Sequence, residues 1–111
     1  MPPDDRARLL HILDAARQAH AFALTQAELT PGDLSTFGLI YLLQVVGEAA
    51  ARLAPETRAA LPGVKWPSVV AFRNRVVHGY YDVDLDVVRA TAVNNLPPLV
   101  AEVERYLGDQ A

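Results

Sequence analysis

The chain contains no cysteine, which excludes disulfide bonds and thiolate metal sites and is compatible with a reducing cytosol. It also has no glycine-rich phosphate loop, internal repeat or low-complexity tract. The apolar run from Phe37 to Val46 is too short to span a bilayer and is soon followed by Glu48 and Arg52. Two prolines and two aspartates precede Arg6, which is not typical of a signal peptide. We therefore expect a cytoplasmic protein that makes no membrane contact.

The net charge of −3 argues against broad, sequence-independent binding to DNA, which needs many basic side chains on one face. It leaves room for a local basic pocket. A chain of 111 residues that is 51% hydrophobic and 21% charged is typical of a folded globular protein with one core. We expect residues 1–111 to form a single domain.

Hydrophobic spacing predicts helices throughout the chain and no strands. The expected fold is an all-α, up-and-down bundle of four main helices plus shorter ones. On the first helix, apolar residues at positions 9, 12, 13 and 16 form the predicted core stripe. The last helix has a similar stripe at positions 99, 100, 103, 106 and 107. Asn94-Asn95 is expected to end the helix that precedes it. The predicted helices cover residues 4–24, 30–53, 55–60, 66–78, 85–93 and a last segment that begins at 96.

The second predicted helix is apolar on nearly every side. Thr30 is its expected N-cap and Pro31 its first helical residue. A helix this apolar in so small a domain should be covered on two sides, once by the bundle and once by a second copy of the chain.

One polar stripe interrupts that helix at Tyr41, Gln44, Glu48 and Arg52. Glu48 has two candidate partners. It could pair with Arg52 on a solvated helix edge, or it could provide the counter-charge to Arg73 in a functional cleft.

Residues 72–82 carry the most unusual pattern in the chain. On a helical wheel Arg73 falls inside an apolar arc, whereas Arg75 points to the opposite side. A guanidinium stays charged and is costly to bury without a partner, so Arg73 requires a partner or a function. Arg75 is interpreted as a surface residue that could also attract phosphate. Trp66 and Phe72 are expected in the core.

His78 ends this helix, and Asn74 four residues earlier can hold its ring. A helix C-terminus stabilises the charged form of histidine, which favours a proton donor and acceptor. Arginine beside such a histidine suits phosphodiester chemistry, in which the arginine stabilises charge on the phosphorane. RNA supplies its own nucleophile, the 2′-hydroxyl, so no metal is needed. From the spacing alone, a structural Arg–His pair is the favoured interpretation.

The residues Arg73-Asn74-x-x-x-His78-x-Tyr80 resemble the Arg-Asn-x-x-x-His-x-Tyr signature of the HEPN superfamily, in its HepT-like branch. The likeness continues through residues 46–50, 65–67, 83–86 and 96–99, and it is clearest from position 42 onward. It covers nearly the whole chain.

The resemblance implies a helical bundle that forms a homodimer and brings two motifs together in one cleft. It also implies the toxin of a type VII-like toxin–antitoxin pair, a metal-independent endoribonuclease that needs no cofactor. By this likeness Arg73 and His78 are catalytic and Asn74 orients His78. The expected antitoxin is a minimal nucleotidyltransferase that uses ATP to adenylylate Tyr80, although the adjacent Tyr81 offers a second hydroxyl.

A non-catalytic helical dimer that binds nucleotide or the nucleotidyltransferase is the alternative function. His11 and His20 on the first helix have no second ligand at helical spacing, so we interpret them as surface or boundary residues and predict no metal site.

Overall fold

A computed structural model describes the backbone of residues 1–77 and 84–109 and the side chains of all of these except residues 74–77. In that part of the chain every regular element is helical, which confirms the predicted all-α bundle. The elements are α1 (Pro3–Leu24), α2 (Leu34–Arg52), α3 (Pro55–Ala59), α4 (Trp66–Val77), α5 (Leu85–Ala90), a π-helical turn (Thr91–Asn95) and α6 (Leu96–Asp109).

The four longest helices surround one apolar core, to which each contributes a stripe of buried side chains. The predicted stripe on α1 is buried, and α2 packs against both α1 and α4. The stripe on α6 is buried at three of its five predicted positions and partly buried at the other two. The residues that are wholly inaccessible to solvent include Leu9, Ile12, Val46, Leu61, Leu96 and Val103.

The opposite side of α2 keeps apolar surface exposed in the single chain. Leu34 is 88% exposed and Tyr41 is 62% exposed, and the two lie seven residues apart on one face. By length and composition alone, this 19-residue helix is also apolar enough to cross a membrane. Its buried face packs into the core, however, as the central helix of a globular bundle does.

The start of α2 differs from the prediction. The helix begins at Leu34 with Asp33 as its N-cap residue, and Thr30 is not the cap. Gly32 has a positive φ of 82°, so residues 30–33 form a turn and Pro31 lies outside the helix. The carbonyl of Thr30 accepts a hydrogen bond from the Thr36 hydroxyl at 2.8 Å.

The Asn94-Asn95 break was also predicted wrongly, because the chain stays helical from α5 to α6 through the π turn. Pro97 and Pro98 have no backbone N–H, so the carbonyls four residues earlier lack their usual α-helical donors. A wider π turn lies at that point and avoids ending the helix. The N-cap predicted for α5 is confirmed: the Asp84 carboxylate accepts hydrogen bonds from the backbone N–H groups of Asp86 and Val87.

A buried carboxylate ties α1 to α3. Asp5 is fully inaccessible to solvent and accepts hydrogen bonds from the Thr57 hydroxyl at 2.6 Å and from the Ala54 backbone N–H at 3.0 Å. Arg8 donates a third bond to it at 3.0 Å. Burial alone would raise the pKa of Asp5, but these three bonds outweigh it and hold the pKa below its ordinary value.

Candidate functional site

The backbone of Arg73 lies directly against Gly47, where α4 crosses α2. A Cβ atom added to Gly47 would lie 2.6 Å from the Arg73 backbone nitrogen and 3.2 Å from the Val69 carbonyl oxygen. Real Cβ atoms essentially never approach a backbone nitrogen that closely. The missing side chain of Gly47 therefore sets how closely Arg73 can approach α2.

The next residue on α2 contacts the side chain of Arg73. Glu48 Oε2 lies 3.5 Å from Arg73 Nη1, and Glu48 Oε1 lies 4.0 Å from Arg52 Nη2. Both partners weighed from the sequence are thus present, with Arg73 the closer. Two consecutive residues of α2 thus act on Arg73, because Gly47 admits its backbone and Glu48 pairs with its guanidinium.

The Arg73–Glu48 pair is loose and accessible. The Arg73 side chain is 37% exposed and the Glu48 side chain 42%. Their separation exceeds the roughly 2.7–2.9 Å typical of a charge-assisted hydrogen bond. Ion pairs of this exposure contribute about 0–1 kcal/mol to stability. An incoming phosphate could therefore take the guanidinium from Glu48 at small cost.

The other residues of the sequence motif lie outside the side chains that the structure describes. Asn74 and Arg75 belong to α4, but their side chains are outside the described part, and so are His78, Tyr80 and Tyr81 entirely. Their roles stay predictions from the sequence.

Trp66 and Phe72 are buried, as expected, and Trp66 Nε1 donates a hydrogen bond to the Arg58 carbonyl at 3.0 Å. Both rings therefore belong to the core rather than to an exposed base-stacking surface.

The histidines of α1 fit their prediction as surface and boundary residues. His11 is exposed, and His20 is half-buried with Nδ1 at 2.9 Å from the Ala92 carbonyl oxygen. Because a carbonyl only accepts, Nδ1 of His20 carries the proton in this contact. Across residues 1–77 and 84–109, no cluster of three or more His, Asp or Glu side chains could hold a metal ion.

Two structural residues were missed from the sequence. Gly47 could have been singled out as an isolated glycine inside a helix, a position that costs stability and usually has a packing reason. Asp5 had no such signal, because its partners Ala54 and Thr57 are 49 and 52 residues away along the chain.

Comparison with known proteins agrees with the motif. The sequence profile described as ribonuclease HepT-like matches residues 12–106. Two proteins of Methanocaldococcus jannaschii, both named as candidate RNases, are each 26% identical to this chain. The alignments cover 91% and 98% of this chain, and 94% and 93% of the relatives.

A third relative, from Thermococcus cleftensis, bears the name "Probable ribonuclease HepT". It is 26% identical over 62% of this chain and 63% of its own length. No solved structure matches the chain significantly. The profile match extends over nearly all of the helical core and includes the Arg73 motif, so the chain belongs to the ribonuclease HepT-like family.

Proposed function

We propose that this chain is a metal-independent endoribonuclease in which Arg73 stabilises charge on the scissile phosphate. The observation that carries the proposal is the placement of Arg73. Gly47 admits its backbone and Glu48 holds its guanidinium in a loose, accessible pair. The family's ribonuclease description supports the same chemistry.

The proposed reaction uses the RNA's own nucleophile. The 2′-oxygen attacks the adjacent phosphorus and the bond from phosphorus to the 5′-oxygen breaks. One His78 accepts the proton of the 2′-hydroxyl, and a second His78 donates a proton to the leaving 5′-oxygen. Arg73 stabilises the extra negative charge of the phosphorane, and Asn74 orients the His78 ring. The products are a 2′,3′-cyclic phosphate and a 5′-hydroxyl.

Two histidines in one cleft require a homodimer. The exposed start of α2 supports this part of the proposal, because Leu34 leaves apolar surface uncovered there in the single chain. Sedimentation should give twice the chain mass of 12.1 kDa. A Leu34→Lys variant should shift the equilibrium toward monomer, and a wild-type protein that is monomeric at micromolar concentration would contradict this step.

We further propose that the chain is the toxin of a cytoplasmic type VII-like toxin–antitoxin pair, silenced when a minimal nucleotidyltransferase adenylylates Tyr80. An AMP group adds bulk and negative charge beside Arg73 and His78 and should repel RNA. Mass spectrometry after incubation with the partner enzyme and ATP should detect one added AMP. The signal should vanish in Tyr80→Phe and persist in Tyr81→Phe; the reverse pattern would assign the modification to Tyr81.

The products of RNA cleavage test the proposed reaction. Purified protein in excess EDTA should still cut single-stranded RNA and leave 2′,3′-cyclic phosphate ends, and RNA with 2′-O-methyl groups throughout should stay intact. Activity that disappears with EDTA and returns with a divalent ion would contradict metal independence. Nucleotide or nucleotidyltransferase binding with every RNA left intact would instead favour the non-catalytic alternative.

A further inference from the structure

A groove of about 530 Å³ runs between α1 and α2 on the surface beside Arg73. Its apolar lining consists of the small side chains Ala7, Val45 and Ala49. The other lining residues are polar or aromatic, and they are Asp4, Arg8, His11, Tyr41, Gln44, Glu48 and Arg52. Small apolar side chains and a largely exposed Tyr41 ring leave space for a planar group.

Two arginines meet at one end of this groove. Arg8 Nη1 donates to the Asp5 carboxylate at 3.0 Å and to the Arg52 carbonyl at 3.1 Å, which fixes the guanidinium against the end of α2. Among the side chains and backbone that the structure describes, its other two nitrogens have no hydrogen-bond partner. The Arg52 side chain is 67% exposed, and its contact with Glu48 is 4.0 Å long. Both guanidinium groups thus keep donors for an anion.

The other end of the groove offers stacking and uncommitted polar groups. The Tyr41 side chain lines the groove and is largely exposed. In the described part of the chain, His11, Tyr41 and Gln44 make no side-chain hydrogen bonds. A groove with an aromatic ring at one end and cationic side chains at the other suits single-stranded nucleic acid, with a base on the ring and phosphates on the arginines.

The groove is continuous with the candidate active site through Glu48. One carboxylate oxygen of Glu48 contacts Arg52 in the groove, and the other contacts Arg73. Because both contacts are long and exposed, a strand that enters along Arg52 can displace Glu48 at little cost. The strand would then arrive beside Arg73.

A protein helix fits this groove less well than RNA does. The small apolar residues of the lining, Ala7, Val45 and Ala49, give an apolar side chain little area to bury, whereas helix-in-groove binding depends on large apolar anchors. The cationic and amide groups of the lining would also lose water without a matching partner.

We propose that the α1–α2 groove is a binding subsite for the single-stranded RNA that flanks the scissile phosphate. Tyr41 stacks on a base, and Arg8 and Arg52 bind backbone phosphates. The subsite rests on the proposed ribonuclease function, but it makes a separate prediction about affinity, because it lies beside the catalytic groups and does not include them.

Binding of an RNA that cannot be cut tests the subsite directly. The probe is a mixed-sequence, single-stranded oligonucleotide of about twelve residues with 2′-O-methyl groups throughout. Tyr41→Ala should raise its Kd at least about fivefold, the lower end of the cost of losing one stacked base. Arg52→Gln should raise the Kd and lower the slope of log Kd against log salt by about 0.7, the value for one lost phosphate contact.

Arg17→Gln is the matched control, since Arg17 is 55% exposed and pairs with Glu104 on the α6 side of α1. It changes the same charge outside the groove and should leave both Kd and salt slope unchanged. Circular dichroism melts establish that each variant is folded.

The subsite is overturned if Arg52→Gln and Arg17→Gln weaken binding equally, if Tyr41→Ala has no effect, or if the wild type does not bind the probe at low salt. Loss of nucleotidyltransferase binding in Arg52→Gln, with RNA affinity unchanged, would identify the groove as a protein site instead. If the probe binds through the groove but ordinary RNA is not cleaved, the proposed function is wrong and the subsite still stands. RNA cleavage with an unchanged KM in Tyr41→Ala and Arg52→Gln would overturn the subsite and leave the proposed function standing.

Discussion

Arg73 and Asp5 each pair with a side chain of opposite charge, but we expect different roles for the two residues. Arg73 shares an accessible pair with Glu48, and both side chains are more than a third exposed. Asp5 is fully buried and receives three hydrogen bonds from two other parts of the fold and from Arg8. The expected effect of substitution is therefore functional at one position and structural at the other.

Arg73→Gln should change the free energy of unfolding by less than about 1 kcal/mol, because an exposed ion pair contributes little and Glu48 stays solvated. Urea unfolding followed by circular dichroism measures this. A loss of several kcal/mol in the free energy of unfolding would mean that Arg73 has a structural role. Its place in the motif would then not indicate catalysis.

Asp5→Asn should cost about 2–4 kcal/mol at neutral pH, since an amide cannot accept all three hydrogen bonds and places N–H groups against donors. The folded state lowers the pKa of Asp5, so the wild-type carboxylate stabilises the fold fully above its ordinary value of 3.8. That contribution declines as the pH falls below this value toward the lower pKa of the folded state.

The stability gap between wild type and Asp5→Asn should therefore shrink between pH 7 and pH 3, measured by urea unfolding at each pH. Glu104→Gln removes an exposed carboxylate paired with Arg17 and should open no comparable gap. A gap for Asp5→Asn that stays constant with pH would contradict the depressed pKa.

At the scale of elements, the crossing of α2 and α4 is the feature that positions the candidate site. Gly47 lies at the contact, whereas Gly38 on the same helix has no atom within 4 Å of the place where its Cβ would be. One helix thus contains both the sensitive glycine and its control.

Gly47→Ala should destabilise the fold by about 1–3 kcal/mol, because the new methyl group meets backbone atoms of α4 and the helices must separate. RNA cleavage should fall as well, since Arg73 moves with α4. Gly38→Ala should be neutral or stabilising by about 0.5–1 kcal/mol, through the higher helix propensity of alanine. Equal effects of the two substitutions on unfolding would show that the crossing is not as close as described.

Helix positions were predictable from the sequence because hydrophobic spacing and proline signals act locally. The cap of α5 at Asp84 was found in this way, as was the start of α4 near Trp66. These local signals gave the wrong N-cap for α2. Thr30-Pro31 precedes Gly32, whose positive φ makes this segment a turn, and the cap is Asp33. Local signals also misled at Asn94-Asn95, where a π turn accommodates the prolines that follow.

The site was only partly predictable for a different reason. The helical wheel identified Arg73 as the anomalous residue, and the polar stripe offered Glu48 as one of its possible partners. Which carboxylate pairs with Arg73, and that Gly47 admits its backbone, depend on how α2 crosses α4. A single sequence does not encode that crossing in any local pattern.

At the scale of the whole molecule, an acidic protein is proposed to act on an acidic polymer. A net charge of −3 gives no general attraction for RNA, so binding must come from a few placed cations. Arg8 and Arg52 line one groove, and Glu48 of that groove contacts both Arg52 and Arg73. We therefore expect weak, salt-sensitive RNA affinity that a small number of substitutions removes.

Single-turnover cleavage of RNA by wild type, Arg73→Gln, His78→Ala and the control Arg17→Gln tests the central claim most directly. Wild type and Arg17→Gln should cut at equal rates, whereas Arg73→Gln and His78→Ala should lose at least about a hundredfold, the usual effect of removing a general acid–base or charge-stabilising group. All four proteins should unfold at similar urea concentrations. Cleavage by folded His78→Ala or Arg73→Gln at the wild-type rate would contradict the account.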